Sequence, residues 1–240
     1  MIAFHGPTTL TSTPQLETLE IEPDGPATAS VIWMHGLGAD AHDFYGIPPQ
    51  LGLPENLRVR YVFPNAPQIP VTINRGLIMR AWYDVTGFDR RGEDEARIRQ
   101  STESIGQLVA REIERGVSAN RIVLGGFSQG GAMALFAGLR YPEALAGIMC
   151  LSGYLLLPDT LTAEGALASR AVPIFQAHGT KDAVVPQALG LSSCETLVAA
   201  GYPVDWHEYQ MAHQVCPEEV RDVGDWLTGL LAANEIGSDP

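Results

Sequence analysis

Three features are scarce in this 240-residue chain: cysteine, positive charge and long apolar runs. Three cysteines are too few for a disulfide framework, so we expect free thiols in a reducing compartment. The 15 Lys and Arg are outnumbered by 28 Asp and Glu, and the resulting charge of -13 disfavours binding to nucleic acid or anionic membranes. The longest apolar stretch, residues 144–157, is too short and interrupted to insert stably in a bilayer. No secretory signal is evident, and we expect a cytoplasmic protein.

The chain has an ordinary globular composition, with 45% hydrophobic and 18% charged residues. We expect one domain over residues 1–240, with an irregular segment at 1–14, a long irregular loop at 64–91 and a flexible tail at 232–240. Apolar, β-branched runs alternate with amphipathic segments, which predicts an α/β fold with a mostly parallel central sheet and helices on both faces. The predicted strands are residues 15–21, 31–34, 58–63, 121–126, 145–151, 173–177 and 204–209, and the predicted helices are 93–115, 129–140, 187–200 and 217–231.

A candidate nucleophile lies between a predicted strand and a predicted helix. Gly126-Phe127-Ser128-Gln129-Gly130 has the form G-x-S-x-G, in which the serine occupies a sharp strand-to-helix turn and the glycines allow the two elements to approach closely. An ordinary glycine-rich turn is the alternative. We interpret Ser128 as a nucleophile, and a serine hydroxyl in that role needs a histidine base and an orienting carboxylate.

His213 is the candidate base, because it lies on a loop after the final predicted strand and just before the closing helix. That position fits a nucleophile–acid–histidine order along the chain. Two other histidines, His35 and His178, precede glycines at strand ends and are interpreted as positions that shape the backbone. The remaining three are His5 in the amino-terminal segment, His42 in a polar stretch and His207 within a strand.

Asp182 is the candidate acid, because it directly follows a predicted strand at the same end of the sheet as Ser128 and His213. Its alternative role is that of a turn or helix-capping residue. The competing carboxylates are Asp159 and Glu164 in a polar loop and Asp205 within the last strand.

An acyl-transfer site also needs N–H groups that stabilise the oxyanion. We expect one from Gln129, the residue after the nucleophile, and the other from Leu37 in the His35-Gly36-Leu37-Gly38 turn after the first central strand. The Leu37 side chain would then form a wall of the acyl pocket.

Together these residues resemble the phospholipase/carboxylesterase family of α/β-hydrolases, which includes acyl-protein thioesterases and small carboxylesterases. The resemblance covers roughly residues 29–231 and implies an α/β-hydrolase fold, with Ser128, Asp182 and His213 as the catalytic triad and Leu37 and Gln129 as oxyanion donors. It is carried by separate blocks, namely His35-Gly36-Leu37-Gly38-Ala39-Asp40, Pro64-Asn65-Ala66-Pro67, Pro70-Val71-Thr72-Ile73-Asn74, Trp82-Tyr83-Asp84, Gly126-Phe127-Ser128-Gln129-Gly130-Gly131, His178-Gly179-Thr180-Lys181-Asp182 and Cys216-Pro217-Glu218-Glu219.

The resemblance implies hydrolysis of carboxylic esters without a cofactor, and thioesters and lysophospholipids are among the substrates of family members. Ala212 stands where the thioesterase branch usually has glycine, and Tyr83 where it has phenylalanine. Both differences are closer to bacterial carboxylesterases. We therefore expect a small-molecule ester as substrate, with acyl-protein thioesterase or lysophospholipase activity as the alternative.

Four apolar side chains are candidates for binding the acyl group: Leu37, Ile73, Met79 and Trp82, the last placed beside the site by the resemblance. The apolar run at residues 155–157 is a further candidate. A non-catalytic binding module with the same fold is the rival from another class. Cysteine-dependent hydrolysis would need a thiol in place of Ser128, and no pair of residues has metal-ligand spacing. The sequence leaves a homodimer open.

Overall fold

The computed structural model describes residues 15–87 and 93–233. Its main sheet has seven strands in the order β1-β3-β2-β6-β7-β8-β9, in which β1 runs antiparallel to β3 and the other neighbours are parallel. A separate antiparallel hairpin is formed by β4 and β5. The strands are β1 Thr18–Ile21, β2 Ala29–Met34, β3 Val59–Pro64, β4 Gln68–Val71, β5 Leu77–Arg80, β6 Ile122–Phe127, β7 Gly147–Leu151, β8 Ile174–Gly179 and β9 Val204–Tyr209.

Helices cover both faces of the main sheet, as predicted. Strand β2 shows this directly: Ile32 and Met34 join a core with α1, α2 and α4, whereas Val31 and Trp33 join a second core with α5. Alternate residues of a strand point to opposite faces, so a strand buried on both sides is apolar throughout. The helices are α1 Glu95–Glu114, α2 Gln129–Gly138, the short α3 Leu161–Glu164, α4 Gln187–Ala199 and α5 Pro217–Ala233.

Most element boundaries differ from the prediction by a few residues, for local reasons. Helix α1 begins at Glu95 because the Asp94 side chain caps it, accepting a hydrogen bond from the Arg97 N–H at 3.2 Å. Helix α5 continues to Ala233, two residues beyond the predicted end. Residues 232 and 233, predicted to begin a flexible tail, therefore belong to α5 instead. The predicted irregular segment at 1–14 and the rest of the predicted tail, 234–240, lie outside the described residues.

The stretch predicted as a long irregular loop contains the β4–β5 hairpin. In it Val71 pairs with Leu77 and Pro70 pairs with Ile78. A proline inside a short apolar run argues against a central strand, but a two-stranded hairpin has only edges, where proline is tolerated. Residues 88–91 of the predicted loop lie outside the described part.

A buried carboxylate ties α1 to strands β2 and β3 of the main sheet. Glu112 has no exposed surface, and its oxygens accept hydrogen bonds from the Ser30 hydroxyl at 2.6 Å and from Arg60 and Arg115 at 2.9 Å each. Burial raises the pKa of the Glu112 carboxyl, but the hydrogen bonds from Ser30 and Arg60 outweigh burial and lower its pKa overall. The folded state therefore favours the ionised carboxylate.

Glu112→Gln is expected to lower the free energy of unfolding at pH 7 by about 2 kcal/mol, because it removes the buried negative charge that Arg60 and Arg115 contact and leaves them only their more exposed partners, Glu22 and Glu20. The ionised Glu112 carboxylate stabilises the folded state fully at pH values above its ordinary pKa of 4.5. Because folding lowers this pKa, the stabilisation is lost as the pH falls from 4.5 through the folded-state pKa. Urea unfolding measures this effect: the difference in the free energy of unfolding between wild type and Glu112→Gln should be smaller at pH 4 than at pH 7. Glu114→Gln, at an exposed position two residues further along α1, is the control and should change stability by less than about 0.5 kcal/mol.

Candidate active site

Ser128 occupies a strained turn between β6 and α2. Its φ of 55° and ψ of −118° place it in a left-handed region that L residues rarely adopt. A Cβ on Gly126 would lie 2.3 Å from the carbonyl carbon of Gly130, and a Cβ on Gly130 would lie 2.3 Å from the Met34 carbonyl oxygen. Both flanking positions therefore require glycine, which lets the helix approach the strands and project the serine from the turn.

The side chains of Ser128, His213 and Asp182 form a continuous hydrogen-bonded row. His213 Nε2 is 2.9 Å from Ser128 Oγ, and His213 Nδ1 is 2.6 Å from Asp182 Oδ2. The other oxygen of Asp182 accepts the N–H groups of Val184 and Val185, each at 2.9 Å. Because a carboxylate only accepts, the neutral imidazole carries its proton on Nδ1, which leaves Nε2 to accept the serine proton.

These three side chains meet because each follows a parallel strand at the same edge of the sheet: Ser128 follows β6, Asp182 follows β8 and His213 follows β9. The loops after β8 and β9 are also joined directly. The Thr180 N–H donates to the Tyr209 carbonyl at 2.8 Å, and the Lys181 N–H donates to the Met211 carbonyl at 3.0 Å. These bonds fix the distance between the acid and the base.

Two backbone N–H groups beside Ser128 are available to an anion. Gln129 supplies one from the first turn of α2, and Leu37 supplies the other from the loop after β2. Within residues 15–87 and 93–233, neither N–H donates to a protein acceptor. Gly36, next to Leu37, lies against the serine, since a Cβ there would be 3.4 Å from Ser128 Cβ. A helix N-terminus and a glycine turn thus present donors at the serine.

A cavity of about 350 Å³ opens beside Ser128 and His213. Its floor consists of four buried residues, Tyr83, Val85, Tyr154 and Val185, and its rim of six more exposed residues, Leu37, Ala39, Asp43, Ile73, Asn74 and Val184. Gly36, Phe127 and Gln129 complete the lining.

Of the four predicted acyl-binding residues, Leu37 and Ile73 line this cavity, whereas Met79 and Trp82 do not. Trp82 is only 1% exposed and packs within the core. Met79 is half-buried, and its sulfur accepts a hydrogen bond from Asn74 of the rim at 3.2 Å. The apolar run at 155–157 also packs into the core, and only the preceding Tyr154 reaches the cavity.

Sequence reasoning missed the aromatic residues of the cavity. The hydroxyls of Tyr83 and Tyr154 are 3.1 Å apart, and burial raises the pKa of Tyr83, which keeps the phenol neutral. The Phe127 ring lies 4.7 Å from the His213 ring. Tyr154 follows the end of β7, so the rule that site residues cluster after parallel strands could have identified it.

The two His-Gly pairs interpreted as backbone-shaping positions contact the backbone around the site. His35 Nε2 accepts the Ala66 N–H at 3.1 Å, so its Nδ1 carries the proton and donates to the Gly36 carbonyl at 2.7 Å. His178 Nε2 donates to the Val185 carbonyl at 3.0 Å. Burial lowers the pKa of both imidazoles and so favours the neutral rings, and the neutral form is the one in which His35 Nε2 can accept the Ala66 N–H.

The described part of the chain contains no cluster of three or more His, Cys, Asp or Glu suited to holding a metal ion. No helix among the described residues has the length and apolar character needed to cross a membrane. All three cysteines are free thiols, and burial raises the pKa of Cys150 to about 12, which makes it unreactive at neutral pH.

Comparison with known proteins matches residues 17–231 to the family described as Phospholipase/Carboxylesterase. The chain is 42% identical over 214 residues to acyl-protein thioesterase 1 of Neurospora crassa, an alignment covering 85% of this chain and 87% of the relative. Among solved structures, acyl-protein thioesterase 2 of Zea mays superposes with a TM-score of 0.80 and 28% identity, covering 90% of this chain and 99% of that one. Esterase PE8 superposes with a TM-score of 0.77 and 25% identity, covering 90% and 100%.

Proposed function

The chain belongs to the phospholipase/carboxylesterase family of α/β-hydrolases, and we propose that it is a carboxylesterase acting through an acyl-serine intermediate. The observation that carries the proposal is the hydrogen-bonded row of Ser128, His213 and Asp182 at the mouth of a cavity. A binding module of the same fold would not need a nucleophile, a base and an orienting acid at hydrogen-bonding distance.

In the proposed reaction, Ser128 Oγ attacks the ester carbonyl carbon while its proton passes to His213 Nε2. The N–H groups of Leu37 and Gln129 stabilise the negative oxygen of the tetrahedral intermediate. As this intermediate collapses, the bond to the leaving oxygen breaks and His213 gives its proton to the departing alcohol. Water then attacks the acyl-serine by the same route, releasing the acid and restoring Ser128.

The cavity supports an acyl group of short to medium length. Its volume of about 350 Å³ is near the lower end for small-molecule sites. Val85 and Val185 make much of the floor apolar, and Ile73 and Val184 extend the apolar surface to the rim. We infer that the acyl chain lies on this surface and that the leaving group remains near the rim.

Acyl-protein thioesterase activity is the second candidate, because the Neurospora crassa relative and the Zea mays structure both bear that name. A thioester would use the same nucleophile and base, and only the leaving atom would differ. Ala212 and Tyr83, where the thioesterase branch usually has glycine and phenylalanine, favour oxygen esters.

The proposal is tested with p-nitrophenyl esters of acyl groups from acetate to dodecanoate, run beside a thioester of matched acyl length and a lysophospholipid. We expect kcat/KM to be highest for a short or medium ester and higher for that ester than for the matched thioester. If none of the esters is hydrolysed, the proposed carboxylesterase activity is contradicted. A clear preference for the thioester would instead favour thioesterase activity at the same site.

A bulkier residue in the cavity floor should shorten the preferred chain. Val85→Phe is expected to lower kcat/KM for the octanoate ester at least about tenfold relative to the acetate ester, because the larger ring overfills a packed site. The ratio of the two kcat/KM values measures this. Val198→Phe, at a residue of α4 that is 54% exposed and outside the cavity lining, should leave the ratio unchanged. If Val85→Phe and Val198→Phe have equal ratios of kcat/KM for the octanoate and acetate esters, the acyl chain does not lie against Val85.

A further inference from the structure

We propose that Trp82 is a positioning residue that holds the two oxyanion donors, Leu37 and Gln129, at a fixed separation. This inference rests on the proposed ester hydrolysis and assigns Trp82 a role other than contact with the acyl group. The two donors belong to different elements, the loop after β2 and the first turn of α2. Trp82 follows the β4–β5 hairpin and hydrogen-bonds to both of those elements.

Trp82 uses all three of its polar groups in buried hydrogen bonds. Its backbone N–H donates to Gln129 Oε1 at 2.8 Å, and its indole Nε1–H donates to the His35 carbonyl at 3.0 Å. Its own carbonyl accepts the Ser101 hydroxyl of α1 at 2.6 Å. The side chain is 1% exposed, so these bonds are shielded from water. Buried hydrogen bonds with every group paired define a single geometry.

On the helix side, Trp82 holds the residue whose backbone N–H is the proposed donor. The Gln129 side chain is fixed at both ends, because its Oε1 accepts from the Trp82 N–H and its Nε2 donates to the Tyr83 carbonyl at 2.8 Å. Gln129 is 4% exposed. The first residue of α2 is therefore clamped to the segment that carries the indole.

On the loop side, the indole holds the peptide unit that leads into Leu37. The His35 carbonyl belongs to the peptide bond with Gly36, and the protonated Nδ1 of His35 fixes the Gly36 carbonyl at 2.7 Å. Beyond Leu37, the Gly38 N–H donates to the Arg80 carbonyl at 2.8 Å. The peptide planes on either side of the Leu37 N–H are thus fixed, the first of them by Trp82.

Oxyanion donors act only within a narrow distance range, about 2.7–3.1 Å from the developing charge. Among the described residues, the His35 carbonyl accepts a hydrogen bond from the indole of Trp82 alone. Loss of the indole bond would therefore leave this carbonyl unpaired and remove a restraint on its peptide plane. A small displacement of this kind impairs the transition state more than substrate binding, because the donors bind the oxyanion and not the ground-state ester.

The test compares two buried tryptophans. Trp82→Phe removes the N–H that binds His35, whereas Trp33→Phe removes an indole N–H that has no hydrogen-bond partner in the described structure. Trp33 lies on β2 and is 2% exposed, which makes it a matched control. Kinetics with a p-nitrophenyl ester and inhibition by a trifluoromethyl ketone, which forms a tetrahedral adduct with serine, are measured for both variants.

We expect Trp82→Phe to lower kcat about 10- to 100-fold with KM within about twofold of wild type. The inhibition constant of the ketone should rise by the factor by which kcat/KM falls. Trp33→Phe should leave both constants within about twofold of wild type. Equal kcat values for the two variants, or a loss carried by KM alone, would overturn the positioning role.

If Trp82→Phe does not fold, Gln129→Met provides the same test from the helix side. It keeps the backbone N–H but removes both side-chain bonds to residues 82 and 83, and the same kcat loss at constant KM is expected. An unchanged kcat in Gln129→Met would overturn the proposal. Wild-type protein that does not hydrolyse esters would contradict the proposed function itself, whereas an active wild type with unaffected variants would contradict only the positioning role.

Discussion

The Ser128→Ala variant is expected to lose ester hydrolysis by a factor on the order of 10⁶ in kcat, while remaining folded. Without Oγ no acyl-enzyme can form, and His213 loses the hydroxyl that lies 2.9 Å from its Nε2. Residual turnover would come only from water in a site that still binds and polarises the ester. The assay is steady-state hydrolysis of a p-nitrophenyl ester, with thermal unfolding measured on the same sample.

Ser152→Ala is the matched control for Ser128→Ala. Ser152 also follows a parallel strand, has a positive φ of 49° and is completely buried. Its hydroxyl has no hydrogen-bond partner within the described residues. We expect this variant to keep kcat within about twofold of wild type. Retained hydrolysis in Ser128→Ala, or an equal loss in Ser152→Ala, would contradict Ser128 as the nucleophile.

Asp182→Asn is expected to reduce kcat about 10⁴-fold with little change in stability. The asparagine oxygen can still accept the N–H groups of Val184 and Val185, which bind one oxygen of the native carboxylate. The amide NH₂ then faces His213 Nδ1, and a donor at that position favours the imidazole tautomer whose Nε2 carries the proton. That tautomer cannot accept the Ser128 proton.

Asp205→Asn is the control that tests whether the loss of kcat is specific to the Asp182 carboxylate. Asp205 is a competing acid by sequence, but its side chain is 60% exposed and lies 3.0 Å from His207 in strand β9. We expect its kcat to stay within about twofold of wild type. A small effect at Asp182, comparable to that at Asp205, would mean that His213 does not depend on the carboxylate 2.6 Å from its Nδ1.

The predictable part of the site is the part that follows from chain connectivity. The central strands of the main sheet are apolar runs in the sequence, and the residues that follow a parallel strand lie at a known edge of the sheet. Ser128, Asp182 and His213 could therefore be expected to meet, and the structure brings their side chains into hydrogen-bonding distance.

The cavity lining was harder to predict because side-chain direction within irregular segments is not encoded in a simple period. Trp82 and Tyr83 are neighbours in sequence, yet Trp82 packs into the core and only Tyr83 reaches the cavity. The deciding contacts come from Gln129 and His35, 47 residues away on either side of Trp82. Local pattern carries no information about partners at that separation.

The tip of the β4–β5 hairpin, residues 73–76, gives this protein a means of changing its selectivity independently of its chemistry. The hairpin tip carries Ile73 of the rim and is attached through its own bonds, with the Thr72 hydroxyl and N–H both donating to Asp84. The proposed nucleophile, base and acid follow strands of the main sheet instead. Variation confined to residues 73–76, between Thr72 and β5, can therefore redirect the enzyme to new acyl groups at little cost in turnover, which makes the tip the natural region for a directed-evolution library.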